Sequence, residues 1–315
     1  MMTVTIDDVR AAAKRIEGRV RRTPLLPATL SHSLLPDNPA LNLKLECLQV
    51  SGSFKARGAM SALTTLEDAA KARGLITASG GNHGLGVACA GHAAGVPVTI
   101  YLPGNTPSAK ADNLRRWGAE VHMHGEVWDD ANREALAVAE RDGKTYIHPF
   151  ADPSVIAGQG TVSLEVLADA PDTDVLLVSI GGGGLISGAA MAAKALKPKI
   201  TVIGIEPVGA PTLHDSVAAG ELVELAHIDT NANTLAPRRS EEINLALIQQ
   251  NVDEIVLVTD EQMYKAARWL WRDFGLGVEL SAAAAVAALQ VGIYTPPAGA
   301  VCTALICGTG SDGMR

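Results

Sequence analysis

The chain has 315 residues, 47% of them apolar but only 3% aromatic, with 31 glycines and a formal net charge of −8. Such a length supplies one large core or two smaller ones, and small apolar residues in place of aromatics favour buried parallel strands under closely packed helices over an all-β fold. An acidic balance without a basic stripe excludes a general nucleic-acid binder.

Residues 5–20 have the spacing of an amphipathic helix, and Pro24 ends that segment. A polar loop with Pro36 and Pro39 leads to an alternating run, Leu41 to Val50, that predicts a strand. The stretch SGSFKARGA, Ser51 to Ala59, opens a helical pattern over Ala56 to Ala70, with Ser53 as its expected cap. From Gly74 a βα alternation sets in: strand 75–78, turn 79–84, helix 85–94, strand 96–102, helix 108–117, strand 120–124 and helix 130–142. The turn His148–Pro153 is a candidate domain crossing. Helix 154–169, strand 174–180, a tetraglycine at 181–184, helix 185–196, strand 200–206 and helix 211–219 continue the pattern. An irregular stretch, 231–242, precedes strand 254–258, helix 260–274, an alanine-rich helix 281–290 and strand 301–307. Alternation with short turns implies parallel sheets flanked by helices.

Four cysteines, Cys47, Cys89, Cys302 and Cys307, form no C-x-x-C pair and no zinc spacing, as in a reduced intracellular protein. The N-terminal segment carries both charge signs and no apolar signal core. The uncharged stretch Val175 to Ala193 is long enough for a membrane span, but four glycines inside it disfavour a lipid-facing helix. A soluble, cytoplasmic protein with no membrane contact is expected.

Lys55 falls at a helix start behind three small residues, where the helix dipole and partial desolvation favour a neutral amine suited to imine chemistry with an aldehyde. An ordinary solvated lysine is the plain alternative. The glycines 181–184 end a buried strand and open a helix, so bare backbone N–H groups converge beside a positive dipole end, as in a phosphate cradle. They do not fit the dinucleotide fingerprint or a Walker loop. Glu206, at the end of the next strand, keeps a nucleotide reading open as a ribose-binding acid. The turn Ser79-Gly80-Gly81-Asn82-His83-Gly84 could take a carboxylate or a ring hydroxyl. His122 and His124 share one strand face, but no third ligand follows at useful spacing and no metal site is expected. Cys307 ends a strand at the carboxyl edge, where open parallel sheets bind ligands.

A lysine, a phosphate cradle and a carboxylate cradle, all at strand ends, fit a phosphate-bearing aldehyde. Together with Arg22-Thr23-Pro24-Leu25, the stretch from His148 to Thr161, GGGGLISG and the final CGTGSDG, these motifs resemble the fold-type II pyridoxal-phosphate enzymes of the serine/threonine dehydratase and serine racemase group. The resemblance implies a two-domain α/β fold like the tryptophan synthase β chain. Residues 1–68 and 149–315 would form the large cofactor-binding domain and residues 69–148 the small one. It also implies pyridoxal 5'-phosphate attached at Lys55, which would move the Cα proton. Phe54 would flank the ring, Asn82 would meet its hydroxyl, Gly181, Gly182, Gly183 and Gly184 would hold the phosphate, and Cys307 would face the ring nitrogen. Ser79, Gly80, Asn82 and His83 would border the substrate carboxylate.

In racemases of this group a serine follows the first serine of the SGGNHG motif. Gly80 stands there, so dehydration of an L-3-hydroxy amino acid (threonine, serine or a related compound) to a 2-oxo acid and ammonia is favoured. Cysteine-synthase-like β-replacement, racemisation and a non-enzymatic metabolite-binding protein are the competing readings. The stretch Thr234 to Arg239 and Leu280 depart from the group's pattern, which opens the substrate to larger or more acidic side chains, with Arg238 a reader of an acidic one. Thr212 replaces an expected aspartate beside Glu206 and Ala210, against a tight cation site. A homodimer is expected from the family. No sequence follows residue 315 for a regulatory domain, so feedback control by isoleucine is not expected.

Overall fold

The structure, a computed structural model, describes residues 3–29, 31–32, 35–36 and 39–314. Helix α1 (Ile6–Ile16) begins at a reciprocal cap, in which the Thr5 hydroxyl accepts from the Asp8 N–H and the Asp8 carboxylate accepts from the Thr5 N–H at 2.9 Å. It stops at Ile16, short of the expected residue 20, because Glu17 leaves helical geometry and Gly18 follows at φ +72°. Strand β1 (Leu25–Pro27) pairs antiparallel with β2 (Ala40–Lys44); three residues are too few to show a period, and β1 is not legible in the sequence. The loop expected around Pro36 and Pro39 falls in part outside the described residues.

The strand expected to reach Val50 ends at Lys44. There the side chain turns fully inward, and the chain continues through short 3-10 turns at Glu46–Leu48 and Val50–Gly52. The helix expected over 56–70 is two helices, α2 (Lys55–Thr64) and α3 (Asp68–Arg73). Between them the Thr64 and Thr65 hydroxyls donate back to the Ser61 and Ala62 carbonyls at 2.8 and 2.7 Å, competing with helix propagation. Next come β3 (Leu75–Ala78), α4 (Asn82–Ala94), β4 (Val98–Leu102), α5 (Ser108–Arg116), β5 (Glu120–Met123), α6 (Trp128–Asp142) and the two-residue strand β6 (Thr145–Tyr146). These strands form a four-stranded parallel sheet in the order β5-β4-β3-β6.

The chain goes on through α7 (Pro153–Asp169), β7 (Val175–Ser179), α8 (Gly184–Leu196), β8 (Thr201–Pro207), α9 (Thr212–Ala219), α10 (Glu242–Asn251), β9 (Glu254–Val258), α11 (Asp260–Phe274), α12 (Leu280–Gln290) and β10 (Val301–Leu305). With β1 and β2 they build a six-stranded sheet, β1-β2-β10-β7-β8-β9, parallel throughout except for β1. The mixed α/β architecture with parallel sheets between helices agrees with the sequence-based expectation. Helix α10 was not expected, since its buried Leu245, Leu247 and Ile248 follow a polar stretch that hides their period. No described helix is long and apolar enough to cross a membrane.

The inner strands of the larger sheet are buried on both faces, with Leu43, Leu176, Leu177, Val178, Ile203 and Ile205 all sealed from solvent. Helix α12 lies on that sheet through an unbroken run of buried alanines, whose small side chains let it approach closely. A second cluster around Leu75, Val87, Ile100, Leu102 and Leu114 fills the smaller sheet and includes Met60 and Leu63 of α2.

Beside the larger core lies a buried ionic group of two cations and two carboxylates. Arg57 donates from Nε and Nη2 to Glu46 at 2.8 and 2.7 Å and from Nη1 and Nη2 to Glu165 at 2.7 and 2.9 Å. Lys44 Nζ donates to Glu165 at 2.6 Å and to the Thr23 carbonyl at 2.7 Å. Opposite charges with complete hydrogen bonding are the condition under which buried ions are tolerated. The group joins β2, α2 and α7 two residues from Lys55.

Candidate active site

Parallel strands deliver their carboxyl ends to a common edge. Three stretches singled out from the sequence follow such ends: Ser79 after β3, Gly181 after β7 and Cys307 after β10. A cavity of about 1030 Å³ lies there, lined among others by Lys55, Ser79, Asn82, Gly181 and Cys307.

Lys55 is the first residue of α2. Its Nζ donates to the Pro149 carbonyl at 2.6 Å and stands 5.2 Å from the centre of the Phe54 ring. Burial lowers its pKa from 10.5 to about 8, against the opposing pull of Cys307 and Glu279. A readily deprotonated amine is therefore present, and desolvation is the principal cause. Ser53 does not cap the helix: Phe54 holds the cap position, and the buried Ser53 hydroxyl has no hydrogen-bond partner among the described residues.

The tetraglycine lies where β7 passes into α8. Gly183 sits at φ +93°, outside the range of ordinary L-residues, and caps α8 with no side-chain acceptor. A Cβ at Gly181 would stand 2.6 Å from the Thr234 carbonyl, one at Gly184 would stand 2.7 Å from the Phe150 carbonyl, and one at Gly182 would overlap the Phe150 ring. The N–H groups of Gly181 to Leu185 donate to no backbone carbonyl among the described residues. Ser179, just upstream, holds a buried hydroxyl that lines the cavity and has no partner among those residues. Unused donors at an uncapped helix start fit an anion such as a phosphate, and the Lys55 amine in the same cavity fits an aldehyde. These residues suit pyridoxal phosphate.

Asn82 and His83 are not in a free turn, for α4 begins at Asn82, with Gly81 as a cap lacking a side chain. Asn82 Nδ2 donates to Glu279 Oε1 at 2.8 Å, which fixes the amide and leaves its second hydrogen without a described partner. His83 lines the cavity, but its ring Nε2 is engaged by the Ile147 carbonyl at 2.9 Å and the Thr77 hydroxyl at 3.1 Å. Burial, with Lys55 nearby, drops its pKa to about 3. The imidazole is neutral and its Nε2 is committed to the sheet. Gly80 does not line the Lys55 cavity; it borders an adjoining depression with Lys110 and Asn113.

Cys307 faces the cavity from beyond β10, and burial holds its thiol far above the ordinary range, so it is neutral. Its Sγ lies 4.0 Å from the Ser281 hydroxyl, which donates to Glu279 at 2.5 Å. Burial raises the Glu279 pKa, opposed by hydrogen bonds from Ser281 and Asn82. Glu279, Ser281, Pro149 and Phe150 were not recognised as site residues from the sequence. Only the position of Glu279 beside the departure at Leu280 could have drawn notice to it.

Glu206 does not face this cavity. Its carboxylate accepts from the Leu213 and His214 N–H groups at 2.9 and 2.7 Å and so caps α9, contrary to the ribose-binding alternative. His122 pairs with Glu120 at 3.0 Å and stacks on Tyr101, and no metal-binding cluster exists among the described residues. Arg238 does line the cavity, with Nε donating to the Leu225 carbonyl at 3.0 Å and Nη2 lying 3.4 Å from Glu224.

Comparison with known proteins places this geometry. Residues 16–308 match the family model described as pyridoxal-phosphate dependent enzyme. The chain is 36% identical over 286 residues to the L-threonine ammonia-lyase of Thermotoga maritima, covering 91% of this chain and 71% of that protein. It is also 36% identical over 313 residues to the phenylserine dehydratase of Ralstonia pickettii, covering 98% and 95%. The maize serine racemase structure superposes with a TM-score of 0.92 at 33% identity, covering 98% of this chain and 94% of that one. Motifs, fold and site geometry thus agree, and the chain belongs to the family of pyridoxal-phosphate-dependent enzymes that holds these ammonia-lyases and racemases.

Proposed function

We propose that the protein is a dehydratase that converts an L-3-hydroxy amino acid (threonine, serine or a larger relative) into a 2-oxo acid and ammonia. The observation that carries this reading is the half-buried Lys55 amine, its pKa lowered to about 8, in one cavity with the uncapped start of α8 and with Asn82. When bound, the cofactor supplies an aldehyde that captures an amine and a ring that acidifies the neighbouring C–H bond. In this reading Gly181 to Gly184 hold its phosphate, Asn82 its ring hydroxyl, Phe54 its face, and Cys307 meets the ring nitrogen.

Lys55 is then the attachment point and the base that removes the Cα proton, since its amine donates to the Pro149 carbonyl, an acceptor that leaves the nitrogen's lone pair free to take a proton. Ser79 and the N–H groups at the start of α4 take the substrate carboxylate. Breakage of the Cα–H and Cβ–OH bonds releases water. The free enamine product takes up a further water and yields the 2-oxo acid and ammonium. Glu279 holds the Asn82 amide in place, and the neutral Cys307 leaves the ring less electron-withdrawing than a carboxylate partner would, which suits elimination over slower carbanion chemistry.

Racemisation is the second reading, since racemases are among the relatives. It needs a proton carrier on the other face, and Gly80 carries none. Residues 1–68 with 149–315 would act as the cofactor-binding domain, residues 69–148 as the smaller one, and the working form would be a homodimer. The test is 2-oxo acid release from the purified protein with added pyridoxal phosphate over L- and D-3-hydroxy amino acids. Release from an L-isomer is expected, and Lys55→Ala should abolish both release and the cofactor's absorbance shift. Full turnover in that variant would overturn the role of Lys55.

A further inference from the structure

The cavity that holds Lys55 extends to one face of α6. There Val127, Trp128 and Leu136 are 56%, 47% and 46% exposed, and all three line the cavity. Large apolar surface turned into a concave site is uncompensated until something apolar covers it. The chain has only 4 Trp, 4 Tyr and 3 Phe, yet Phe54, Trp128, Tyr146 and Phe150 all line this space.

The apolar face is joined to the reacting end. Trp128 Nε1 donates to the Ala78 carbonyl at 2.8 Å, which pins the indole to the end of β3, one residue before Ser79. The Tyr146 hydroxyl donates to Asn132 Oδ1 at 2.5 Å, so its polar end is satisfied while its ring lines the cavity. An acidic substrate side chain is less well served. Lys110, Arg238 and Arg239 line the cavity, but Arg238 is already engaged by the Leu225 carbonyl and Glu224, and the carboxylates of Asp129, Glu224 and Glu241 line the same space and would repel another.

We infer, on the dehydratase reading above, that the substrate carries an apolar β-substituent of aromatic size. Trp128 is the residue that selects it, and Val127 and Leu136 complete the wall. Aromatic side chains in such a wall favour edge or offset contact with an aryl ring, and a hydroxyl or methyl group leaves the wall uncovered.

The test uses the holoenzyme in two assays. In the first, kcat/KM for 2-oxo acid release is compared for L-threo-3-phenylserine, L-threonine and L-threo-3-hydroxyaspartate. The wild type is expected to favour phenylserine. Trp128→Ser should cut the phenylserine-to-threonine ratio at least about tenfold, and Leu136→Asn, which leaves the bond to Ala78 intact, should cut it in the same direction. A preference for threonine or hydroxyaspartate, or a ratio unmoved in both variants, overturns the inference. In the second assay, L-phenylalanine and L-alanine, which lack a leaving group, are titrated against the cofactor absorbance. At least about tenfold tighter binding of L-phenylalanine, reduced in both variants, is expected, and equal affinities overturn the wall. Preferential binding of L-phenylalanine with no release from any hydroxy amino acid would sink the dehydratase reading while sustaining the wall.

Discussion

Lys55→Met in the cofactor-free chain is expected to raise stability at neutral pH. The folded-state pKa of Lys55 is about 8 against 10.5 unfolded. Each unit is about 1.4 kcal/mol, so holding the ammonium in its half-buried, desolvated seat costs about 3 kcal/mol at pH 7. Methionine removes that cost, but it leaves the Pro149 carbonyl without its 2.6 Å donor, worth about 1 kcal/mol. A net gain of about 2 kcal/mol follows. Its pH dependence is the sharper signature. Because the folded value lies below the unfolded one, the unfolded chain holds more protons between pH 8 and 10.5, and wild-type stability rises with pH across that window. The advantage of the variant should therefore be constant below pH 8, shrink through the window and reverse above 10.5, where only the lost bond to the Pro149 carbonyl, about 1 kcal/mol, still separates the two proteins. Urea unfolding of both proteins at a series of pH values, followed by circular dichroism, measures it. A difference that does not change with pH would show that the lysine is not desolvated, and the argument for a readily deprotonated amine would fall with it.

Glu165→Gln removes the carboxylate shared by Lys44 and Arg57, whose side chains are 0% and 1% exposed, and a loss of about 3–5 kcal/mol is expected from the urea midpoint. Arg115→Ala, which breaks an exposed pair with Asp112, should change the same midpoint by less than about 1 kcal/mol. Gly182→Ala places a methyl group on the Phe150 ring and should weaken cofactor binding at least about tenfold in an absorbance titration, with the fold retained by circular dichroism. Undiminished affinity would mean that the loop shifts freely and does not serve as a fixed cradle.

Legibility in the sequence followed the range of the interactions. The strand–glycine–helix passage at 175–196 and the βα units from Leu75 onward could be read because each is specified by neighbouring residues. The end of β2 at Lys44 could not, since the turn there is dictated by Glu165, 121 residues away. Glu279 escaped for the same reason: its tie to Asn82 spans 197 residues, and nothing around it marks a buried acid. The partner of the His83 ring could not be read either, because a turn histidine and a ring bonded to the Ile147 carbonyl, 64 residues away, have the same local sequence. The apolar face of α6 also looked unremarkable, for Val127 and Trp128 become conspicuous only once their exposure is known.

The ionic group around Arg57 also bears on the order in which the chain can become competent during synthesis. Lys55 is made early, but the helix that carries it is tied to Glu165, and β2 beside it pairs with β10, residues 301–305. A ribosome that has released the first hundred residues has therefore released Lys55 without the partners that fix its helix. Until Glu165 emerges, Arg57 and Lys44 are cations with one carboxylate between them, and until β10 emerges, the strand before the lysine has an open edge. If Lys55 has the role proposed above, capture of the cofactor there waits for a nearly finished chain.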